Sequence, residues 1–360
     1  MDLTSYRTLG RSGLLVSPLA LGAMTFGAGR WGARDSDARR LFDLYLDRGG
    51  NFIDTADIYA GGASESLLGR CIADAGVRDQ VVLATKFGFN AGANPLEAVA
   101  ARPGNPNAGG CGAKNIHRAL NASLQRLGTD YIDLYWMHIW DGVTPVEEIL
   151  QTLGDLVRAG KIRYFGFSDM PAWLAMKAAT IGAERRVPAP VAMQVEYSLV
   201  ARDIEREHVP VAFDAGMAVM PWSPLAGGFL SGKYTRDVKP DGARLSGANP
   251  FGDSKFSERN WAILDTVRAV AGEQDRSCAE VALAWLLGRP GVGAVLVGAS
   301  RPQQLEANLA ALTCVLSGEQ LARLDAASAT APGFTDSLAS PAIRKMVFGG
   351  HAVRGWGEAA

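Results

Sequence analysis

Residues 52–88, FIDTADIYAGGASESLLGRCIADAGVRDQVVLATKFG, hold two short apolar runs on either side of a stretch with helical periodicity. The runs at 52–54 and 81–85 have the near-continuous hydrophobicity of strands buried on both faces. Between them, 65–75 repeats its apolar residues at helical spacing and ends at Gly76, a helix stop. Strand, helix and strand in this order predict a βα unit feeding a parallel sheet.

Working outward, the same alternation recurs about eight times from residue 16 onward. Strands are predicted at 19–21, 52–54, 81–85, 132–137, 164–167, 191–195, 218–221 and 294–297. Helices are predicted at 36–46, 65–75, 116–127, 146–159, 173–181 and 303–312, several of them stopped by Gly49, Gly76, Gly128 and Gly160. Eight such units predict a single α/β domain, a (β/α)8 TIM barrel over 1–331, followed by a tail at 332–360 lying over the surface. Residues 6–16 read as two short strands around Arg11-Ser12-Gly13, a hairpin placed to plug the barrel's bottom. The connections 89–114 and 226–257 are too long for simple turns. Both follow strands, which assigns them to the C-terminal face, where barrel enzymes keep their active sites.

The 360 residues carry 36 Lys and Arg against 37 Asp and Glu, so no field of one sign recommends a nucleic-acid or anionic-membrane partner. Cys71, Cys111, Cys278 and Cys314 stand far apart, without the spacing of a zinc site or a redox pair, and read as reduced thiols; no metal is expected. No apolar signal core and no run long enough to cross a bilayer is found, and the expected location is the cytoplasm. Gly27-Ala28-Gly29-Arg30-Trp31-Gly32, with Asp54 beyond it, matches a dinucleotide fingerprint in letters only. Its predicted strand ends near Leu21 and its helix starts near Asp35, so it reads as a glycine-rich first loop.

Four polar residues end three consecutive strands: Asp54 and Tyr59, Lys86, and His138. A carbonyl that accepts hydride also needs a proton on oxygen, and a phenol is a poor acid at neutral pH unless a cation stabilises its phenolate. Lys86 supplies such a cation, Asp54 is placed to keep it charged, and a neutral His138 can donate a hydrogen bond to the substrate oxygen. Each residue also has a plainer reading: Asp54 and Asp57 as helix caps, Tyr59 as a packing residue, His138 as a core histidine.

Over Leu19 to about Leu312 the chain resembles the aldo-keto reductase family, on DTADIYAGGASESLLGR, ATKFG and DLYWMHIWD. The resemblance implies a catalytic tetrad, with Tyr59 as general acid, Lys86 lowering its pKa, Asp54 paired with Lys86, and His138 orienting the carbonyl. It also implies a nicotinamide dinucleotide extended across the barrel mouth. Ser168, Asp169 and Gln194 would hold its carboxamide, Trp222 would stack on the ring, and Gly22, Ala23 and Met24 would border it. Ser223, Leu225, Gly227 and Gly228 would meet the pyrophosphate, with Lys233 closing over it. Gly298, Ser300, Arg301, Gln304 and Asn308 match the adenosine end, where Arg301 and Ser300 favour NADPH over NADH. Two positions depart from the pattern: Asp169 stands where many members have Asn, and Ala307 where many have Glu. Phe26, Trp31, Phe89 and Trp140, with Tyr59, would line an aromatic substrate pocket.

The expected activity is therefore reduction of a small aldehyde or ketone by NADPH, cofactor binding first, with oxidation of a sugar or alcohol by NADP+ as the reverse chemistry. A regulatory alternative exists, since the same barrel resembles the β subunits of potassium channels; the lack of a long N-terminal extension counts against it.

Overall fold

The computed structural model describes residues 1–27, 32–90, 104–237, 244–245 and 255–353. Contacts divide the chain into two units, Met1–Ser328 and Ala329–Ala360.

In the first unit, β1 (Arg7–Thr8) and β2 (Leu15–Val16) form an antiparallel hairpin. Eight parallel strands follow: β3 (Leu19–Gly22), β4 (Phe52–Asp54), β5 (Val82–Phe87), β6 (Ile132–Met137), β7 (Ile162–Ser168), β8 (Ala192–Glu196), β9 (Ala218–Trp222) and β10 (Val295–Gly298). They pair in the order β10-β3-β4-β5-β6-β7-β8-β9. A parallel bridge between Val219 and Val292 brings the two edges together. There the Val219 N–H donates to Gly291 at 2.8 Å and the Gly293 N–H donates to Val219 at 3.0 Å. The result is a nearly closed (β/α)8 barrel.

Around it lie α1 (Asp35–Asp47), α2 (Ala63–Ala75), α3 (Ala113–Leu127), α4 (Val146–Arg158), α5 (Ala172–Arg185), α6 (His208–Ala215), α7 (Glu258–Gln274), α8 (Cys278–Leu287), α9 (Pro302–Leu309) and α10 (Gly318–Ser328). Gly76 and Gly128 terminate α2 and α3 in the left-handed conformation, as their positions in the sequence predict.

Side chains alternate along a strand, so each strand feeds two cores. Ala20, Phe52, Val82, Ala84, Leu134, Trp136, Ala192, Ala218, Met220 and Ala294 fill the barrel interior. Leu21, Ile53, Leu83, Tyr135, Met137, Phe165, Phe167, Met193, Val219 and Val297 belong to the larger core that includes the helices. Leu9 and Val16 of the hairpin join the interior set, and the Arg11 N–H donates to Gly216 at 2.7 Å just ahead of β9. The hairpin thus plugs the end at which the strands begin. Bulk inside the barrel demands one missing side chain: a Cβ on Gly166 would lie 2.3 Å from the Trp136 ring.

The second unit contains α11 (Phe334–Leu338) and α12 (Pro341–Val347). Asp336 accepts the Gly333 N–H at 2.7 Å at the start of α11. Among the described residues no helix is long and apolar enough to cross a membrane.

Candidate active site

The strand alternation that sends Phe52, Ala84, Trp136, Ala192 and Met220 inward also sends inward the residue two places further along. Those residues are Asp54, Lys86, His138, Gln194 and Trp222, and the corresponding position of β7 is Ser168. Sheet register brings them to similar heights: Gly22 is opposite Asp54, Lys86 opposite Trp136, Ser168 opposite Gln194, and Glu196 opposite Trp222. A ring of polar groups therefore closes the C-terminal end of an otherwise apolar barrel.

Lys86 is completely buried. Its ammonium donates to the Asp54 carboxylate and, at 2.8 Å, to the Thr55 carbonyl. The second oxygen of Asp54 accepts from Gln194 Nε2 at 3.1 Å. Asp54 is thus committed to Lys86 and Gln194, and α2 begins after Gly62 without a side-chain cap; the capping reading of Asp54 is excluded. Burial alone would discharge Lys86, but Asp54 and Tyr59 outweigh it and hold the ammonium above its ordinary pKa. The strand end itself is pinned by Glu65 of α2, which accepts from Thr85 at 2.5 Å and from Arg126 of α3 at 2.6 Å.

Tyr59 follows β4 in a short turn, and Lys86 Nζ lies 5.2 Å from the centre of its ring. Burial raises the phenol's pKa and Lys86 lowers it, with burial prevailing. Lys86 thus acts on the phenol in the expected direction, its cation opposing the effect of burial. His138 stands edge-on to Tyr59, with ring centres 5.6 Å apart, and Phe89 stands edge-on to His138 at 4.9 Å. Burial first and the charge of Lys86 second push the His138 pKa well down, so the imidazole is neutral at neutral pH. Its Nδ1 is buried and, among the described residues, has no hydrogen-bond partner.

Beyond these four residues the mouth continues as a groove. Trp222 Nε1 donates to Asp169 at 2.9 Å, which fixes the edge of the indole. After β9, Ser223 and the pair Gly227 and Gly228 have positive φ, and the Ser223 hydroxyl accepts the Gly227 N–H at 3.2 Å. A Cβ on Gly227 would lie 2.9 Å from Leu245, and one on Gly228 2.7 Å from Lys233 Nζ. Leu225 accepts the Gly228 N–H at 2.9 Å and so completes this turn. Lys233 is held below its usual pKa by burial and by the neighbouring charges of Arg244 and Arg301. A glycine cradle against the Lys233 ammonium suits a phosphate-bearing ligand. At the far end, Gln304 accepts from the Ser300 N–H at 2.9 Å, and Asn308 reaches the Gly298 carbonyl at 3.5 Å. Gly22 and Ala23 are buried and Met24 half-buried at the start of the first loop. These residues fit an extended, anionic dinucleotide.

The aromatic set divides. Phe26 is fully buried and belongs to the larger core that includes the helices. Trp31 lies outside the described residues. Phe89 and Trp140 are half-buried, and Trp140 meets Trp173 edge-on at 5.5 Å. Sequence reasoning missed Trp173, which it read only as a helix residue, and Arg244, whose charge in the long basic loop was the available signal. It also missed Glu196 at the end of β8, paired with Lys255 at 2.6 Å. Among the described residues no cluster of His, Cys, Asp and Glu is arranged to hold a metal ion.

The Aldo/keto reductase family model matches residues 18–329. Norsolorinic acid reductase of Emericella nidulans is 34% identical over 319 residues, covering 87% of this chain and 79% of its own. An aryl-alcohol dehydrogenase [NADP(+)] of Phanerodontia chrysosporium is 34% identical over 325 residues, 86% of this chain and 82% of its own. A probable voltage-gated potassium channel subunit beta of Oryza sativa subsp. japonica is 33% identical over 351 residues, 92% of this chain and 99% of its own. The chain belongs to the aldo/keto reductase family and is an NAD(P)H-dependent oxidoreductase.

Proposed function

We propose that this protein reduces an aromatic aldehyde or ketone to the alcohol with NADPH, Tyr59 giving the proton. The observation that carries the reading is the buried Lys86–Asp54 pair beneath Tyr59, beside a neutral His138. Ser168, Asp169, Gln194 and Trp222 would hold the nicotinamide end, Gly227, Gly228 and Lys233 the pyrophosphate, and Ser300 and Arg301 the 2′-phosphate. The bound cofactor supplies a hydride to the carbonyl carbon. His138 donates a hydrogen bond to the carbonyl oxygen and fixes it against Tyr59. As charge develops on that oxygen, the phenol gives up its proton, and Lys86 stabilises the phenolate left behind. Asp54 keeps Lys86 charged throughout. Aromatic substrates are favoured by the Phe89, Trp140 and Trp173 rings and by the aryl alcohol that one relative's name states.

The channel-subunit relative is compatible with a second reading, a regulatory subunit, in which the groove would sense nucleotide. Turnover separates the two. NADPH consumption would be followed at 340 nm with aryl aldehydes, quinones and keto-sugars, for wild type and Tyr59→Phe. Wild type is expected to turn over aryl carbonyls and the variant to lose at least ~100-fold, the scale of general acid catalysis. Equal, negligible rates for both proteins on every compound would overturn the reductase reading. Because reduction needs the protonated phenol, its rate should hold through neutral pH and fall in alkali, whereas alcohol oxidation should rise.

A further inference from the structure

Asp169 places a carboxylate at the nicotinamide end of the groove. It follows β7 with φ of 45°, a left-handed conformation that Asp and Asn adopt more readily than most residues. Its N–H donates to the Gln194 carbonyl at 3.2 Å, and its Oδ1 accepts the Trp222 indole N–H at 2.9 Å. Backbone and side chain are therefore both fixed, with the carboxylate tied to the edge of the indole expected to stack on the ring.

A nicotinamide ring is cationic in NADP+ and neutral in NADPH, while the rest of the two molecules is the same. A fixed charge beside the ring distinguishes the two redox states, whereas a neutral amide in its place does so far less. We infer that Asp169 is a redox-tuning residue, whose carboxylate strengthens binding of NADP+ relative to NADPH; this rests on the cofactor placement proposed above.

The consequence is a bias in direction on the enzyme. Stabilising the oxidised ring favours hydride leaving the bound cofactor and holds NADP+ after the alcohol has formed. The surroundings set where this bias operates. Asp169 is open to solvent at the mouth, yet the surrounding protein raises its carboxyl to about 6, against hydrogen bonds from Trp222 and Ser168, with Glu196 adding to the rise and Lys86 opposing it. Glu196, from β8, is itself paired with Lys255, and the Tyr59 phenol from the turn after β4 also feels the Asp169 charge. Asp169 is thus ionised at neutral pH, and the discrimination fades as pH falls through about 6.

Calorimetric dissociation constants for NADP+ and NADPH, measured between pH 5 and 8 on wild type and Asp169→Asn, test the inference. Their ratio cancels everything the two cofactors share, including titration of the 2′-phosphate. At pH 8 the Asn variant is expected to shift the ratio about tenfold toward NADPH, a scale set by a screened charge pair at a partly exposed site. At pH 5 the two proteins should converge. Wild-type protein alone should lose relative NADP+ affinity on acidification and release more protons on binding NADP+ than on binding NADPH near pH 6, which keeps the test independent of the variant's folding. If Asp169 merely positions Trp222, both cofactors weaken together and the ratio stays put; that result, with no pH trend in wild type, overturns the inference while leaving the cofactor reading intact. Failure of wild type to bind either cofactor overturns both.

Discussion

Asp57 has both carboxylate oxygens buried and, among the described residues, without a hydrogen-bond partner. Burial, reinforced by the nearby Glu65, raises its pKa from 3.8 to about 7, against the weaker pull of Arg126 and Arg118. A raised carboxyl binds its proton more tightly in the folded than in the unfolded chain. The stability it contributes is therefore fully present below pH 3.8 and is lost as pH rises through about 7. At ~1.4 kcal/mol per pH unit the loss approaches ~4 kcal/mol. Asp57→Asn removes the titration without changing the shape, so its unfolding free energy should gain on wild type by about that much between pH 4 and pH 8, and then level off. Urea denaturation across that range checks it, and parallel pH profiles for the two proteins would contradict it. The two aspartates of DTAD show what a sequence reading reaches at this scale. Asp54 was legible because a charge at a strand end, in step with Lys86 and His138 on neighbouring strands, has few structural uses. Asp57 was read as a possible helix cap, but α2 starts beyond it at Gly62, and isolation of its carboxylate depends on packing from Glu65 and Tyr135 that no local pattern announces.

At the scale of elements, the contact between β6 and β7 sets the height of the site. Trp136 and Gly166 are opposite one another in register, and Trp136 is also opposite Lys86. Gly166→Ala would force a methyl to 2.3 Å from the indole and 2.7 Å from the Ala192 carbonyl. Overpacking of this kind costs ~1–3 kcal/mol, read as a lowered urea midpoint, and displacement of Trp136 should lower NADPH turnover along with it. A variant with an unchanged midpoint would show that the interior has slack that the structure does not contain. The eight strands were legible because each is apolar on both faces and bounded by turn residues. Several helices were not. In α8, CAEVALAWLL, every residue but Cys278 and Ala284 is buried, so the sequence lacks the polar stripe from which helical periodicity is read. For α7 a local signal did exist: Ser257 caps the helix, accepting the Asn260 N–H at 3.2 Å, at the end of what reads as a long loop.

For the whole molecule, the groove links elements remote in sequence: the ends of β7, β8 and β9, the turn at Gly227 and Gly228, and the start of α9 at Arg301. The barrel edges meet beneath it at the Val219–Val292 bridge. A ligand spanning the groove binds only when all of these are folded together, so its binding free energy adds to the stability of the barrel. At 100 times its dissociation constant the gain is ~2.7 kcal/mol. The adenosine end should decide which dinucleotide delivers more of it. Arg301 carries its guanidinium at the exposed start of α9, beside Ser300, and a 2′-phosphate there would meet a cation at the positive end of the helix dipole. NADPH should therefore raise the thermal midpoint further than NADH at equal concentration. Arg301→Ala should shrink the NADPH shift to that of NADH and leave the NADH shift where it was, because NADH presents only an uncharged hydroxyl at that position. Lys233→Ala should reduce both, since it lies against the Gly228 turn expected to meet the pyrophosphate common to the two. Equal loss of both shifts in Arg301→Ala would move the arginine from the 2′-phosphate to the shared part of the cofactor.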